Sequence, residues 1–218
     1  MSKITKIWII TAAFLVLTGC IIFCGVMTVL NWDFTKLATD KYETSNYEIT
    51  EDFDAISIDT DTADIIIVPS NDEKCSIRCF EQKSMAHSAI VKDKTLVIKV
   101  VDSKKWHEYI GIYSETPKIT IYLPKTEYKS ISINETTGDI ELPKNFKFEN
   151  VDISASTGDV DFSASAFNLI KIKTDTGSIR VDNSSAKTIN LSASTGKIAV
   201  SNVKCNGNIN IRVTYGKT

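Results

Sequence analysis

Five glycines recur at a nearly constant spacing along the second half of the chain, and this repeat constrains the fold more than any other feature. Their spacings are 20, 19, 19 and 20 residues, and short stretches of alternating apolar and polar residues flank them. A unit of this length with two short strands cannot bury its apolar face alone, but stacked units can, so the pattern is typical of a solenoid. The repeat glycines are Gly138, Gly158, Gly177, Gly196 and Gly216.

The position of each glycine predicts a sharp corner between two strands of one coil. Such a corner often requires a positive φ, which glycine reaches without a Cβ penalty. Threonine precedes four of the five glycines, and its hydroxyl can bond the backbone of the turn. We therefore interpret these glycines as structural turn residues.

Alternation with a period of two predicts strands with one buried face from Phe53 onward. The predicted fold is an all-β ectodomain, a right-handed parallel β-helix-like solenoid with coils of about 19–20 residues. An elongated β-sandwich of hairpins is the alternative. The residues expected to point inward are Ile131, Ile133, Ile140, Leu142, Ile153, Val160, Phe162, Ile170, Ile172, Ile179, Val181, Ile189, Leu191, Ile198 and Val200.

An imperfect copy of the repeat lies further towards the N-terminus. Residues 59–69 (DTDTADIIIVP) resemble residues 134–143 (NETTGDIELP), with Ala63 in place of the glycine. The solenoid is therefore expected to begin near residue 53. The predicted organisation is a membrane anchor (1–30), a spacer (31–52) and a solenoid domain (53–218), which contains a strand-rich insertion (72–125) and regular repeats (126–218).

The segment 7–30 is apolar and carries no charge over 24 residues. As a helix it is long enough to cross a hydrocarbon core of about 30 Å, so it predicts a single transmembrane helix. Lys3 and Lys6 precede it, and no positive charge follows until Lys36. This asymmetry predicts a cytoplasmic N-terminus and an extracellular C-terminal domain at the cell membrane.

Two other interpretations of this segment stay open. The sequence Leu17-Thr18-Gly19-Cys20 is similar to a lipoprotein processing site, which would lipidate Cys20, although the following residues remain apolar. A cleaved signal peptide usually has a shorter apolar core of about 7–15 residues and a small-residue cleavage site. All three interpretations place the rest of the chain outside a membrane.

Acidic residues cluster at two places, and each cluster is a candidate cation site. Asp59, Asp61 and Asp64 form D-x-D-x-x-D but lack the glycine and closing glutamate of a calcium-binding loop. Asp139 and Asp159 would stack in adjacent coils, yet serine and lysine continue that column. Solvated polar turns are the favoured interpretation of both, and no metal site is predicted.

A stretch rich in aromatic residues, KKWHEYIGIYSE, separates two predicted strands. Trp106, Tyr109 and Tyr113 are candidate ligand-binding residues for a glycan or a protein partner. Packing of the same residues on the solenoid is the alternative.

The composition excludes several classes of function. Beyond residue 30 the chain holds 23 basic residues (25 − 2) and 27 acidic ones, so it lacks the basic surface of a nucleic-acid-binding protein. There are only two histidines, and no nucleotide-binding or hydrolase motif occurs. We predict no catalytic residues and no cofactor. Cys75 and Cys79 are too far apart along a strand for a disulfide bond with each other, whereas pairing of either with Cys205 stays open.

The chain resembles the DUF4097 family, β-strand-repeat proteins of the adhesin type that are common in Gram-positive bacteria. The resemblance is carried by FDAISIDTDTADIIIVPS (53–70), by KITIYLPKTEYKSISINETTGDIEL (118–142) and by the T-G-D/S/K-I/V repeats. It implies a β-helix-like ectodomain of unknown function behind an N-terminal helix.

These observations predict a membrane-anchored, non-enzymatic surface protein that mediates adhesion or binds an envelope protein or glycan. The alternatives are an accessory sensor of envelope stress and, less favoured, a polysaccharide-active enzyme. The sequence breaks off within a repeat at Gly216, and an uncapped solenoid end would expose strand edges, so either a second subunit covers this end by end-to-end self-association or the natural chain continues.

Overall fold

The computed structural model describes residues 2–34, 41–102 and 115–217, which divide into two units. The first contains a single helix, α1 (Lys3–Val29), capped by Ser2, whose hydroxyl accepts a hydrogen bond from the Thr5 amide. The most apolar 18-residue window of the helix has a mean hydropathy of 2.6, and the helix is long and apolar enough to cross a membrane, a property that signal sequences share. The hydroxyls of Thr18 and Thr28 donate to backbone carbonyls one turn earlier, so these polar groups are satisfied within the helix.

The second unit is built from β-strands. Their bounds are β1 (Tyr42–Ile49), β2 (Ala55–Thr62), β3 (Asp64–Pro69), β4 (Cys75–Gln82), β5 (Met85–Lys92), β6 (Thr95–Asp102), β7 (Lys118–Leu123), β8 (Glu127–Thr137), β9 (Ile140–Leu142), β10 (Lys147–Thr157), β11 (Val160–Phe162), β12 (Ser165–Thr176), β13 (Ile179–Asp182), β14 (Ser185–Ala186), β15 (Thr188–Ser201), β16 (Lys204–Cys205) and β17 (Ile209–Lys217).

The strands form two long ladders that enclose one core. One ladder has the order β5-β6-β2-β8-β10-β12-β15-β17, and the other has the order β1-β4-β7-β3-β9-β11-β13-β15. Strand β15 belongs to both ladders and joins them into a nearly closed sheet. The short strands β14 and β16 pair separately. The chain is therefore mostly β and solenoid-like, as predicted.

Parallel pairing stacks equivalent residues of the repeats directly over one another. Along the first ladder, Ile131 pairs with Val151, Val151 with Ile170, Ile170 with Ile189 and Ile189 with Ile209. The imperfect copy follows the same rule, since Ile56 pairs with Ile131. This register places the apolar side chains of each coil on those of the next.

The core lies between the inner faces of the two ladders. Of the residues expected to point inward, all are buried except Val200, which is half-buried against the core. Aromatic residues fill one side of the interior, where the ring of Tyr128 stacks between those of Phe53 and Phe148, at centroid distances of 5.9 and 5.8 Å.

Antiparallel strands close the end of the solenoid that lies nearest the N-terminus in sequence. Strands β4 and β5 follow one another along the chain but belong to different ladders: β4 pairs with β7 in one ladder and β5 with β6 in the other. Strand β1 then covers the edge of β4, so residues 42–49, which fall within the predicted spacer, are part of the sheet. Their apolar alternation is weak because only one face touches the core, and for that reason the sequence pattern did not reveal the strand.

Candidate functional site

The corner glycines approach the neighbouring coil too closely for any side chain. Gly177 has a φ of +144°, and a Cβ atom built there would lie 1.9 Å from the carbonyl oxygen of Gly158. Gly138, Gly196 and Gly216 have the same kind of conformation and contact. This column is a structural feature of the corner and offers no functional group.

The aspartates after these glycines form a hydrogen-bond ladder with the backbone. The amide of Asp139 donates to Asp64 Oδ1 at 3.2 Å, the amide of Asp159 to Asp139 Oδ1 at 2.8 Å, and the amide of Ser178 to Asp159 Oδ1 at 2.7 Å. Each carboxylate thus satisfies an amide of the next coil, which accounts for the acidic column without a cation.

The D-x-D-x-x-D motif is spread along two strands. Asp59 Oδ1 accepts a hydrogen bond from Asn134 Nδ2 at 3.1 Å, Asp61 is exposed, and Asp64 belongs to the aspartate ladder. Asp59 and Asp61 lie on β2 and Asp64 on β3, so these residues belong to strands and not to a polar turn, and their carboxylates do not form one group at ligand distance.

Glu135 is buried beside this corner, in register with Thr60. Its Oε1 accepts a hydrogen bond from the Ala63 amide at 3.2 Å, and its Oε2 has no hydrogen-bond partner. Burial, aided by the charges of Asp61 and Asp64, raises the pKa of Glu135 to about 8, despite hydrogen bonds from backbone amides that lower it.

A shallow groove of about 510 Å³ crosses the outer surface of the capping strands β1, β4 and β7. Both cationic and aromatic side chains line it, among hydroxyl groups and one carboxylate. We call it the cap groove; its lining residues are Thr44, Arg78, Phe80, Glu115, Thr116, Lys118, Thr120 and Tyr122.

The strand register explains how the cap groove is assembled. Arg78 lies opposite Thr120 and Phe80 opposite Lys118 on antiparallel β4 and β7, so their side chains are neighbours on one face. The ring of Tyr42 on β1 stacks on Phe80 at 5.3 Å, and the Tyr42 hydroxyl donates to the Glu115 carbonyl at 2.8 Å. These contacts hold one ring of the groove in place.

The two cations of the cap groove are free to meet a ligand. Arg78 and Lys118 are exposed, and neither forms an ion pair or a side-chain hydrogen bond with any residue that the structure describes. Elsewhere on the surface, lysines and arginines such as Lys129, Lys171 and Arg180 contact a carboxylate. The groove therefore carries a net positive charge, two cations against the one carboxylate of Glu115, on a protein that is acidic overall.

The predicted binding residues Trp106, Tyr109 and Tyr113 lie outside the described residues. Their segment connects β6 to β7, and the described chain resumes at Glu115, a residue of the cap groove. The turn at which this segment enters β7 therefore borders the groove.

A second surface cleft, of about 580 Å³, has the opposite charge. We call it the acidic cleft. Its floor includes Phe53 and Tyr128, and its rim contains five carboxylates and one lysine: Glu48, Glu51, Asp52, Asp72, Glu73 and Lys74. A polyanion would be repelled here, whereas the cap groove would attract it.

One row of charges on the outer face of the second ladder combines two carboxylates with an arginine, a combination that a polysaccharide-active enzyme could use. Glu141, Asp161 and Arg180 lie in register on β9, β11 and β13, and Arg180 contacts Asp161 at 3.3 Å. The side chains of Asp161 and Arg180 are 54% and 68% exposed, so solvent screens the pair.

The cysteines of the β-unit are all free thiols. Cys75 and Cys79 are buried. Cys205 is half-buried, and its thiol donates a hydrogen bond to the Lys187 carbonyl. Burial raises the pKa of Cys75 to about 12, and burial together with the Glu81 charge does the same for Cys79. These thiols are protonated at neutral pH and are poor nucleophiles.

A buried polar cluster lies between strands β4 and β5, with a contact to β2. The carboxylate of Glu81 accepts hydrogen bonds from both the backbone amide and the Nδ1 of His87, at 2.6 and 2.7 Å, and His87 Nε2 lies 2.7 Å from Thr60 Oγ1. The side chains of Glu81 and His87 are 1% and 3% exposed. Sequence reasoning missed this cluster, although Cys75, Ile77, Cys79 and Glu81 continue one inward alternation and could have revealed it.

These features define a solenoid-like β-protein with a cationic surface groove and an apolar N-terminal helix. The chain belongs to the DUF4097 family, described as Toastrack, whose model matches residues 53–217. The resemblance inferred from the repeat is therefore confirmed. None of the curated proteins matches the chain at a significant level.

Three solved structures illustrate what the chain is similar to. A candidate cell-adhesion protein from Clostridium sporogenes is 11% identical, with a TM-score of 0.45, and covers 82% of this chain and 100% of its own. A candidate adhesin from Bacteroides fragilis is 20% identical, with a TM-score of 0.41 and coverage of 81% and 98%. A candidate lipid-binding protein from Parabacteroides distasonis is 16% identical, with a TM-score of 0.33 and coverage of 83% and 98%.

Proposed function

We propose that this protein is a membrane-anchored, non-enzymatic surface protein that binds an anionic polysaccharide of the cell envelope through the cap groove. The observation that carries the proposal is the pair of exposed cations, Arg78 and Lys118, beside the rings of Phe80 and Tyr122. The adhesin descriptions of the similar solved structures agree with such a role but do not support the choice of ligand.

The chemistry of the groove suits a sugar that carries carboxylate or phosphate groups. The guanidinium of Arg78 can bind such a group through two parallel hydrogen bonds, and Lys118 adds a point charge. The apolar faces of Phe80 and Tyr122 suit the flat C–H faces of sugar rings, while Thr44 and Thr120 offer hydroxyls for hydrogen bonding. Neutral polymers would lose the ionic part of this interaction.

The N-terminal helix supports the location. We propose that residues 7–30 remain as an uncleaved anchor with a cytoplasmic N-terminus, as the flanking lysines suggest. The β-unit then faces the envelope polymers. A right-handed winding of the solenoid, with coils of 19–20 residues, is part of the same proposal and agrees with the right-handed preference of parallel crossovers.

Binding can be tested with the full chain in lipid nanodiscs. Polygalacturonate and poly(glycerol phosphate) serve as anionic probes, and dextran as the neutral one. We expect both polyanions to bind with an affinity that falls as salt rises, and dextran to bind at least tenfold more weakly. Equal binding of dextran and the polyanions would contradict the proposal.

Variants locate the binding surface. The double variant Arg78→Gln/Lys118→Gln should weaken polyanion binding at least tenfold, because it removes both free cations. Lys147→Gln/Lys171→Gln, which removes two exposed lysines outside the groove, lowers the net charge by the same amount but should not weaken binding. If both double variants bind as the unaltered protein does, the ligand contacts another surface.

The row of Glu141, Asp161 and Arg180 provides the test against an enzyme. Incubation of polygalacturonate with the protein should leave the polymer length unchanged over hours. Shortening of the polymer that Asp161→Asn abolishes would replace the binding role with catalysis.

A further inference from the structure

Three potential metal ligands converge between strands β4 and β5, far in sequence from the glycine repeat. Cys79 Sγ, a carboxylate oxygen of Glu81 and a ring nitrogen of His87 all lie within 4.8 Å of one another, and all three residues are buried. No other group of three or more such side chains at ligand distance occurs in the described part of the chain. Cys79 and Glu81 are two residues apart on β4, so both point inward, and His87 faces them from β5.

The cluster contains a polar atom that the protein leaves unsatisfied. Glu81 Oε2 accepts the two hydrogen bonds from His87, whereas Glu81 Oε1 is buried and has no partner at hydrogen-bond geometry, although the Ser45 side chain lies near the carboxylate. An unpaired carboxylate oxygen in the interior costs free energy that an apolar residue would avoid. A bound cation would satisfy it.

We propose that Cys79, Glu81 and His87 bind a single Zn²⁺ ion, or another divalent ion with the same preference for mixed sulfur, nitrogen and oxygen ligands. A thiolate, an imidazole and a carboxylate are the donor types that zinc selects. The thiol sulfur, the Nδ1 atom and the two carboxylate oxygens supply four donor atoms. One thiolate and one carboxylate balance the charge of the ion, which favours binding in a buried site.

Neighbouring groups already orient the histidine as an outer shell would. Thr60 Oγ1 lies 2.7 Å from His87 Nε2, on the side of the ring away from Glu81, and can accept its proton, which leaves the Nδ1 lone pair for the metal. The Tyr47 hydroxyl donates to the His87 carbonyl and fixes the backbone at the same point.

Metal binding requires modest rearrangement and the removal of the protons on the Cys79 thiol and on His87 Nδ1. Zinc would replace the hydrogen bond between His87 Nδ1 and Glu81, separating these atoms from 2.7 Å to about 3.4 Å and bringing the sulfur to within about 3.6 Å of the nitrogen. The thiol proton passes to solvent as the sulfur–metal bond forms, the Nδ1 proton passes to solvent or is replaced by one on Nε2, and no electron is transferred.

The test uses the full chain in detergent, in a background where Cys20, Cys24 and Cys205 are replaced by serine. Co²⁺ is the probe, because thiolate coordination gives it an intense charge-transfer absorption that carboxylate or histidine coordination lacks. We expect this band to saturate at one Co²⁺ per chain and to disappear when Zn²⁺ is added. Zn²⁺ should also raise the thermal unfolding midpoint.

Matched variants separate a metal site from a merely structural ion pair. Cys79→Ala should abolish the charge-transfer band, whereas Cys75→Ala removes an equally buried thiol on the same face of β4 and should leave it intact. Glu81→Gln should weaken Co²⁺ binding at least tenfold, and circular dichroism of each variant reports whether it folds. If the parent chain shows no thiolate band, or if Cys79→Ala retains it, the site is only a Glu81–His87 ion pair and the proposal is overturned. Polyanion binding would be unaffected by either outcome.

Discussion

At the scale of single residues, the corner glycines tolerate few substitutions. Gly177→Ala would place a methyl group 1.9 Å from the Gly158 carbonyl oxygen and would force φ away from +144°. We expect a loss in unfolding free energy of at least about 1–3 kcal/mol, measured by urea denaturation. Ser156→Ala, an exposed residue two positions before another corner, should change it by less than about 0.5 kcal/mol. Equal effects of the two substitutions would contradict the close packing of the corners.

Glu135 makes a prediction about pH. Its pKa is raised to about 8 in the folded protein, so the folded state holds a proton that the unfolded state loses near its ordinary value of 4.5. The stability associated with this group is present in full below pH 4.5 and is lost as pH rises towards 8. Glu135→Gln cannot ionise, so the variant should unfold at a higher urea concentration than the unaltered protein at pH 9 but not at pH 4.

The measurement is the difference between the urea midpoints of Glu135→Gln and of the unaltered protein, followed from pH 4 to pH 9. Asp61→Asn, whose charge lies near Glu135, should retain most of the pH dependence, because burial is the main cause of the raised pKa. A midpoint difference that does not vary with pH would mean that Glu135 is already ionised in the folded protein.

At the scale of elements, β17 has an edge that is available for pairing in the described part of the chain. In the described part of the chain, β17 pairs with β15 on one side and with no strand on the other. Ile209 and Ile211 on β17 are 46% and 42% exposed. An unpaired edge with exposed apolar residues tends to pair with a second chain.

We therefore expect concentration-dependent self-association of the chain in detergent, measured by analytical ultracentrifugation. Ile211→Lys should weaken it, because a charge on an edge strand disfavours pairing. Phe167→Lys removes a similarly exposed apolar residue from β12, whose two edges are both paired, and should have little effect. A chain that stays monomeric at all concentrations would remove the basis for end-to-end assembly.

The elements also show how far the sequence determines the structure. The repeat strands β8 to β13 were predictable because β-branched residues alternate there without interruption, and Ala63 took the place expected from its alignment with Gly138. Strand β5 was not predicted, since only His87 of its eight residues is buried and no apolar alternation results. The cap groove could not be predicted either, because Arg78 and Lys118 come together only through antiparallel pairing of strands 40 residues apart.

At the scale of the whole molecule, the two ends of the solenoid differ in how their strands pair. Antiparallel strands and a buried polar cluster close one end, and the proposed metal and ligand sites both lie there. At the other end of the described residues, the parallel ladder finishes with β17, which pairs with β15.

The in-register parallel stack is the central claim, and a single distance tests it most directly. Spin labels introduced through non-natural amino acids at Ser57 and Asn210 keep the five cysteines intact. The two positions are five strand spacings apart in one ladder, through Ser132, Asp152, Lys171 and Asn190. Pulsed electron paramagnetic resonance should give one narrow distance of about 24 Å, five times the spacing of neighbouring strands. A broad distribution, or a mean above about 35 Å, would contradict the stack.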